Sequence, residues 1–182
     1  AEMADRMYTT VIDIRRLVDW AVDQEEIDPE RIGVVGFSMS AVMASLAVAV
    51  DSRFASAVLV MGAADPSTAI TVCPGRLLEV KNSVTRRFGW SDEQYHAIVS
   101  ELFDKLDSTD MFTQIDPARI LIVEAAQDKC MPAETREALW ESMGRPERIK
   151  LNYKHKTAFL TMTPLGMNYT RRQIVEFLEK TL

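Results

Sequence analysis

The sequence predicts an α/β fold with a mostly parallel sheet of about four strands and flanking helices, and three observations predict it. Short apolar runs alternate with segments of helical periodicity, the order expected of parallel strands joined by crossovers. The run at 57–61 is too uniformly apolar to have a wet face, as a strand covered on both sides must be, and 120–125 reads as a further strand. The stretch Arg31-Ile32-Gly33-Val34-Val35-Gly36-Phe37-Ser38-Met39-Ser40-Ala41 reads as a buried strand, a sharp turn carrying a serine, and the start of a helix.

In order, residues 3–23 place Met7, Val11, Ile14, Leu17, Val18 and Ala21 at intervals of three and four, the period of an amphipathic helix. After the charged run 23–26, Ile27-Asp28-Pro29-Glu30-Arg31-Ile32 forms a single turn with Asp28 as cap and Pro29 at the first helical position. The same device, Ile115-Asp116-Pro117-Ala118-Arg119-Ile120, introduces a later strand, so the echo is shared turn chemistry and not a repeat. Gly62-Ala63-Ala64-Asp65-Pro66 ends the strand at 57–61. A long connection, 67–114, follows, with breaks at Pro74-Gly75 and Gly89. Its clearest element is a helix over 91–106, started by a Ser91/Gln94 capping box and striped by Tyr95, Ile98, Val99, Leu102, Phe103 and Leu106. Beyond the strand at 120–125 comes a helix over 133–143, then a strand at 148–153 whose alternation places it near an edge. His155 follows directly. A closing helix over 169–180 buries Ile174, Val175, Phe177 and Leu178.

Composition narrows the function classes. A length of 182 residues suits one domain, 1–182, with a proper core. A net charge of −6 argues against nucleic acid as a partner. No apolar run approaches the 18 or so residues of a membrane span. Residues 1–8 are polar and run into a helical pattern, unlike a signal peptide; the compartment stays open, with the cytoplasm as default. Cys73 and Cys130 lack metal-type spacing, so two reduced thiols are expected, with a disulfide left open.

The chemistry centres on Ser38. Gly36 and Ser40 are small enough for a cramped strand-to-helix turn, and small residues continue through Ala44, Ser45 and Ala47. Such a turn is a nucleophile elbow, which pushes its serine out at the carboxyl end of a strand. The alternative is an ordinary turn whose serine caps the helix. A serine hydroxyl needs a base, and a carboxylate to hold that base. Of the two histidines, His96 lies within a helix beside its apolar stripe, whereas His155 follows a strand on the same rim as Ser38. Two aspartates stand at strand ends, Asp65 and Asp128, and either could face the histidine.

The elbow resembles that of the α/β-hydrolase superfamily, of the dienelactone-hydrolase and acyl-peptide-hydrolase sort. The family pattern is G-x-S-x-G, and Ser40 stands here in place of the last glycine. The segment Ile122-Val123-Glu124-Ala125-Ala126-Gln127-Asp128-Lys129-Cys130-Met131-Pro132 resembles the family segment in which the acid follows a strand and a proline comes four residues later. The order Ser38, Asp128, His155 is also the superfamily's, which favours Asp128 over Asp65. The resemblance implies a serine hydrolase cleaving small carboxylic esters or thioesters through an acyl-enzyme, with the Met39 N–H at the oxyanion and no metal or organic cofactor. A serine peptidase, or a hydrolase-shaped binding or scaffold protein that has lost turnover, are the alternatives. The resemblance further implies that the insertion at 67–114 caps the site; a simple cover for the sheet is the other role open to it. Arg76, Lys81, Arg86 and Arg87 in that insertion would either meet an anionic substrate or be solvated. The family's amino-terminal strands, one of whose loops supplies the second oxyanion donor, have no counterpart here. The first strand is therefore expected to pair its open edge with a missing amino-terminal portion or with another copy of the chain.

Overall fold

The computed structural model describes residues 2–110 and 115–182. Four parallel strands form one sheet in the order β1 (Gly33–Phe37), β2 (Ser56–Val60), β3 (Ile120–Ala125), β4 (Glu147–Leu151). Every residue of β2 and β3 is buried, which is why these two strands read as mainly apolar runs. The outer strands are more exposed, and β4 is an edge as its alternation predicts. Among the described residues, no strand pairs with the outer side of β1.

Side-chain alternation along the central strands divides the core between two faces. Ala57, Leu59, Ile120 and Ile122 point to the side covered by α1 (Glu2–Val22) and α2 (Met39–Val50). Val58, Val60, Leu121 and Val123 point to the other, where α8 (Tyr169–Thr181) lays down Ile174 and Phe177. Small residues on α2, including Ala41, Ala44 and Ala47, are almost fully buried and let its backbone lie close to the sheet. On α1 the buried line is Ala4, Met7, Val11 and Val18, while Leu17 is 62% exposed, contrary to its place in the expected stripe. One helical step, about 100°, separates Leu17 from Val18, so Leu17 faces outward where Val18 faces the core.

Both predicted entry turns are present. Asp28 Oδ1 accepts the Glu30 N–H at 3.0 Å and Asp116 Oδ1 accepts the Ala118 N–H at 2.9 Å, each one turn before a strand begins.

Three helices occupy most of the long connection: α3 (Pro66–Val72), α4 (Arg76–Phe88) and α5 (Asp92–Phe103). The residues read as breaks, Gly75 and Gly89, are the two caps of α4, and Gly89 takes the left-handed conformation that ends it. The Ser91/Gln94 capping box is formed by both of its bonds. Residues 111–114, the end of the expected insertion, lie outside the described residues. Helix α3 packs against α4 and α5 and is tied at its end to the turn after β3 by a Cys73–Cys130 disulfide. That bond corrects the expectation of two reduced thiols: the fold brings together cysteines 57 residues apart, which sequence spacing cannot reveal.

After β3 come α6 (Ala133–Ser142), β4 and a one-turn helix α7 (His155–Ala158). No helix among the described residues is long and apolar enough to cross a membrane.

Candidate active site

Three strand ends build the site. At the first, Ser38 sits between β1 and α2 with φ 54° and ψ −120°, a conformation that costs a non-glycine residue roughly 1–3 kcal/mol. Close packing of the turn holds it there. A Cβ on Gly36 would lie 2.4 Å from the Ser40 carbonyl oxygen and 2.6 Å from Ala41 Cα, so only glycine fits. The Ser38 N–H donates to Val60 O at 2.8 Å, continuing the β1–β2 ladder into the turn. Backbone groups alternate sides along a strand, so the N–H and C=O of Phe37 face the unpaired edge. Ser40 satisfies both: its Oγ accepts the Phe37 N–H at 2.8 Å and donates to Phe37 O at 2.7 Å. The residue standing at the family's glycine position is thus a clip on the elbow.

The Ser38 hydroxyl makes no cap bond to α2 and instead lies 2.9 Å from His155 Nε2. His155 opens α7, one turn beyond β4, with the edge of the Phe159 ring against it at a centroid separation of 6.1 Å. Its Nδ1 lies 2.5 Å from Asp128 Oδ2. Asp128 is buried in the turn after β3, and its other oxygen, Oδ1, accepts the N–H groups of Cys130 at 2.7 Å and Met131 at 3.1 Å. These bonds fix the carboxylate, and with Nδ1–H donating to Oδ2 the Nε2 lone pair faces the serine proton; this tautomer follows from the network. Met39 is the first residue of α2, so its N–H has no acceptor within the helix and lies next to Ser38.

The other candidates lie elsewhere. Asp65 caps α3, accepting the N–H and hydroxyl of Ser67 at 2.8 and 2.6 Å and the N–H of Thr68 at 3.3 Å, with the Thr68 hydroxyl on the same carboxylate. Burial pushes this carboxyl up, but the Ser67 and Thr68 donors outweigh it and hold it below the usual aspartate value. His96 lies between Thr68 Oγ1 at 3.4 Å and Ser100 Oγ at 3.3 Å, in the same polar cluster on α3 and α5. Of the basic residues in the connection, Lys81 bonds Asp92 at 2.8 Å, Arg86 donates to Asn82 O at 3.0 Å, Arg87 lies over Phe88, and Arg76 is exposed.

One set of donor atoms among the described residues is compact enough for a metal ion: Asp128, Cys130 and His155 offer ligand atoms that all lie within 4.8 Å of one another. Cys130 Sγ, however, is bonded to Cys73. The disulfide beside the acid turn and the Ser40 clip were not foreseen; only the departure of Ser40 from the family pattern hinted at the second.

A parallel sheet with a strained serine turn at one strand end defines an α/β-hydrolase fold. The chain belongs to the X-Pro dipeptidyl-peptidase (S15 family), whose family model matches residues 2–161. It is similar to the acetyl xylan esterase from Paenibacillus sp. R4, with 25% identity and a TM-score of 0.73 over 95% of this chain and 52% of that one. It shares its fold with the 2,6-dihydroxy-pseudo-oxynicotine hydrolase, at 20% identity and TM-score 0.67 over 94% of this chain and 46% of that one. It does so too with the acylaminoacyl peptidase of Pyrococcus horikoshii, at 15% identity and TM-score 0.60 over 93% of this chain and 26% of that one. The chain therefore spans about half the length of the esterase, 52%, and less of the other two. No curated protein matches it.

Proposed function

We propose that Ser38, His155 and Asp128 form the relay of a serine hydrolase that cleaves carboxylic esters, thioesters included. The observation that carries this is the unbroken line from the Ser38 hydroxyl to His155 Nε2 at 2.9 Å, and from Nδ1 to the buried Asp128 at 2.5 Å. As Ser38 Oγ bonds to the ester carbonyl carbon, His155 takes the hydroxyl proton and Asp128 steadies the resulting imidazolium. Collapse of the tetrahedral intermediate breaks the bond to the leaving alcohol, or thiol, which receives the proton from Nε2. Water then repeats the sequence on the acyl-enzyme and returns the free acid. The Met39 N–H stabilises the oxyanion in both halves. The chemistry proposed needs no metal or organic cofactor. Helices α3–α5 act as a cap, held to the acid turn through Cys73 and Cys130.

Similarity to an acetyl xylan esterase at 25% identity favours ester chemistry. A serine peptidase on the same relay is the second reading, favoured by the description of the family that residues 2–161 match. Two steps separate them. A fluorophosphonate should label the chain, and Ser38→Ala should abolish the labelling. Then p-nitrophenyl acetate should be hydrolysed faster than an X-Pro p-nitroanilide; the reverse order selects the peptidase. A folded chain that is not labelled would remove both and leave the binding or scaffold role.

A further inference from the structure

The acid side of the relay holds a feature that ester cleavage does not use. Cys130 lies two residues from Asp128, donates its N–H to Asp128 Oδ1 at 2.7 Å, and carries its sulfur into the same 4.8 Å cluster as donor atoms of Asp128 and His155. In the oxidised chain that sulfur is spent on Cys73. Both cysteines are half-buried, so a small reductant can reach the bond. We propose that reduction of Cys73–Cys130 creates a zinc site from Cys130, Asp128 and His155, and that zinc bound there shuts the relay off.

The redox step is a two-electron exchange. A dithiol gives two electrons and two protons to the Cys73–Cys130 bond, which breaks into two thiols, while the reagent closes to its own cyclic disulfide. Cys130 is then able to bind metal through its sulfur, with the thiol proton released on binding. Thiolate, imidazole and carboxylate are the donor types that zinc takes, and three protein ligands leave a fourth position for water. Around a tetrahedral zinc with bonds of about 2.0–2.3 Å, donor atoms stand about 3.3–3.7 Å apart. The widest pair, within 4.8 Å, needs to close by up to about 1.5 Å, and Asp128 Oδ2 and His155 Nδ1, 2.5 Å apart, to open by about 1 Å. Opening the disulfide frees the Cys130 sulfur from its covalent partner. Both other ligands are relay members, so a bound ion takes the Asp128 carboxylate from His155 and removes the imidazole as a base.

Zinc binding does not depend on the proposed hydrolase activity; only the shut-off rests on it. The test titrates the chain with zinc alone against a chromogenic chelator, in four forms: oxidised, reduced with a dithiol that is then removed under argon, Cys73→Ser and Cys130→Ser. The reduced chain and reduced Cys73→Ser should each hold one zinc, at least tenfold more tightly than the oxidised chain or reduced Cys130→Ser. Equal zinc affinity in the oxidised and reduced chains overturns the proposal without any variant having to fold. So does zinc bound by reduced Cys130→Ser as tightly as by the reduced chain. Fluorophosphonate labelling of Ser38 should fall at least tenfold in the reduced, zinc-loaded chain and return on chelation. Full labelling with zinc bound would put the metal elsewhere and overturn the proposal. Absence of labelling in the zinc-free oxidised chain would instead count against the hydrolase, leaving the zinc titration to decide the site.

Discussion

The turn after β2 and the turn after β3 are built alike, since each ends a fully buried parallel strand, carries an aspartate and leads through a proline into a helix. Their carboxylates are used differently. Pro66 follows Asp65 directly, so α3 begins at once and both Asp65 oxygens cap it. Between Asp128 and Pro132 lie three residues, and α6 starts only at Ala133. Its Oδ1 alone closes the local turn through Cys130 and Met131, and Oδ2 is left for His155. The spacing of the proline decides which aspartate is structural and which can hold a base.

The largest test of this contrast is Asp128→Asn. The amide would favour the wrong tautomer of His155, and kcat for p-nitrophenyl acetate should fall about 10⁴-fold. Asp65→Asn should leave kcat within about threefold, because among the described residues Asp65 bonds Ser67 and Thr68 and not His155. A comparable loss from both variants would erase the distinction.

The structural role of Asp65 should show in stability. Asp65→Ala removes a helix cap and should cost about 1–2 kcal/mol in urea unfolding at pH 7. Its pH dependence has a definite sign. The folded carboxyl of Asp65 is held below its unfolded value of about 3.9, so its contribution is present above pH 4 and is lost as pH falls through the folded value. The stability gap between the chain and Asp65→Ala should therefore close below about pH 4. A gap that widened on acidification would contradict the cap.

Asp51, far from both turns, offers the smallest effect and a control. Hydrogen bonds from Arg53 bring its carboxyl down to about 2, with Arg15 adding a further bond. Arg53 is partly exposed, so Asp51→Asn should cost about 1 kcal/mol or less at neutral pH. That cost should persist to about pH 4 and vanish toward pH 2, again measured by urea unfolding. The catalytic rate at neutral pH should not change.

Much of this architecture is legible before any coordinates, and the reasons are physical. β2 and β3 announce themselves because burial on both faces leaves little room for polar residues; Ser56 bonds Arg119 O at 3.1 Å and Glu124 is met by Lys150 at 3.2 Å. The Asp-Pro entry turns are local, so their hydrogen bonds follow from adjacent residues. Ser38 is marked by the glycine its turn demands. The choice between Asp65 and Asp128 is harder, because it depends on where a histidine from another strand end arrives; only family resemblance favoured one. α4 is missed as a helix even though Leu77, Val80, Val84 and Phe88 recur at intervals of three and four. The Cys73–Cys130 bond leaves no trace in spacing, since it is set by how α3 lies against the acid turn.

The measurement that bears most directly on the relay is the rate at which a fluorophosphonate modifies the chain, with the adduct located by mass spectrometry of the peptide containing Ser38. The chain and Asp65→Asn should both form the adduct on Ser38 at similar rates, while Asp128→Asn should be at least 10³-fold slower. An adduct on another residue, or Asp128→Asn reacting as fast as the unaltered chain, would contradict the relay.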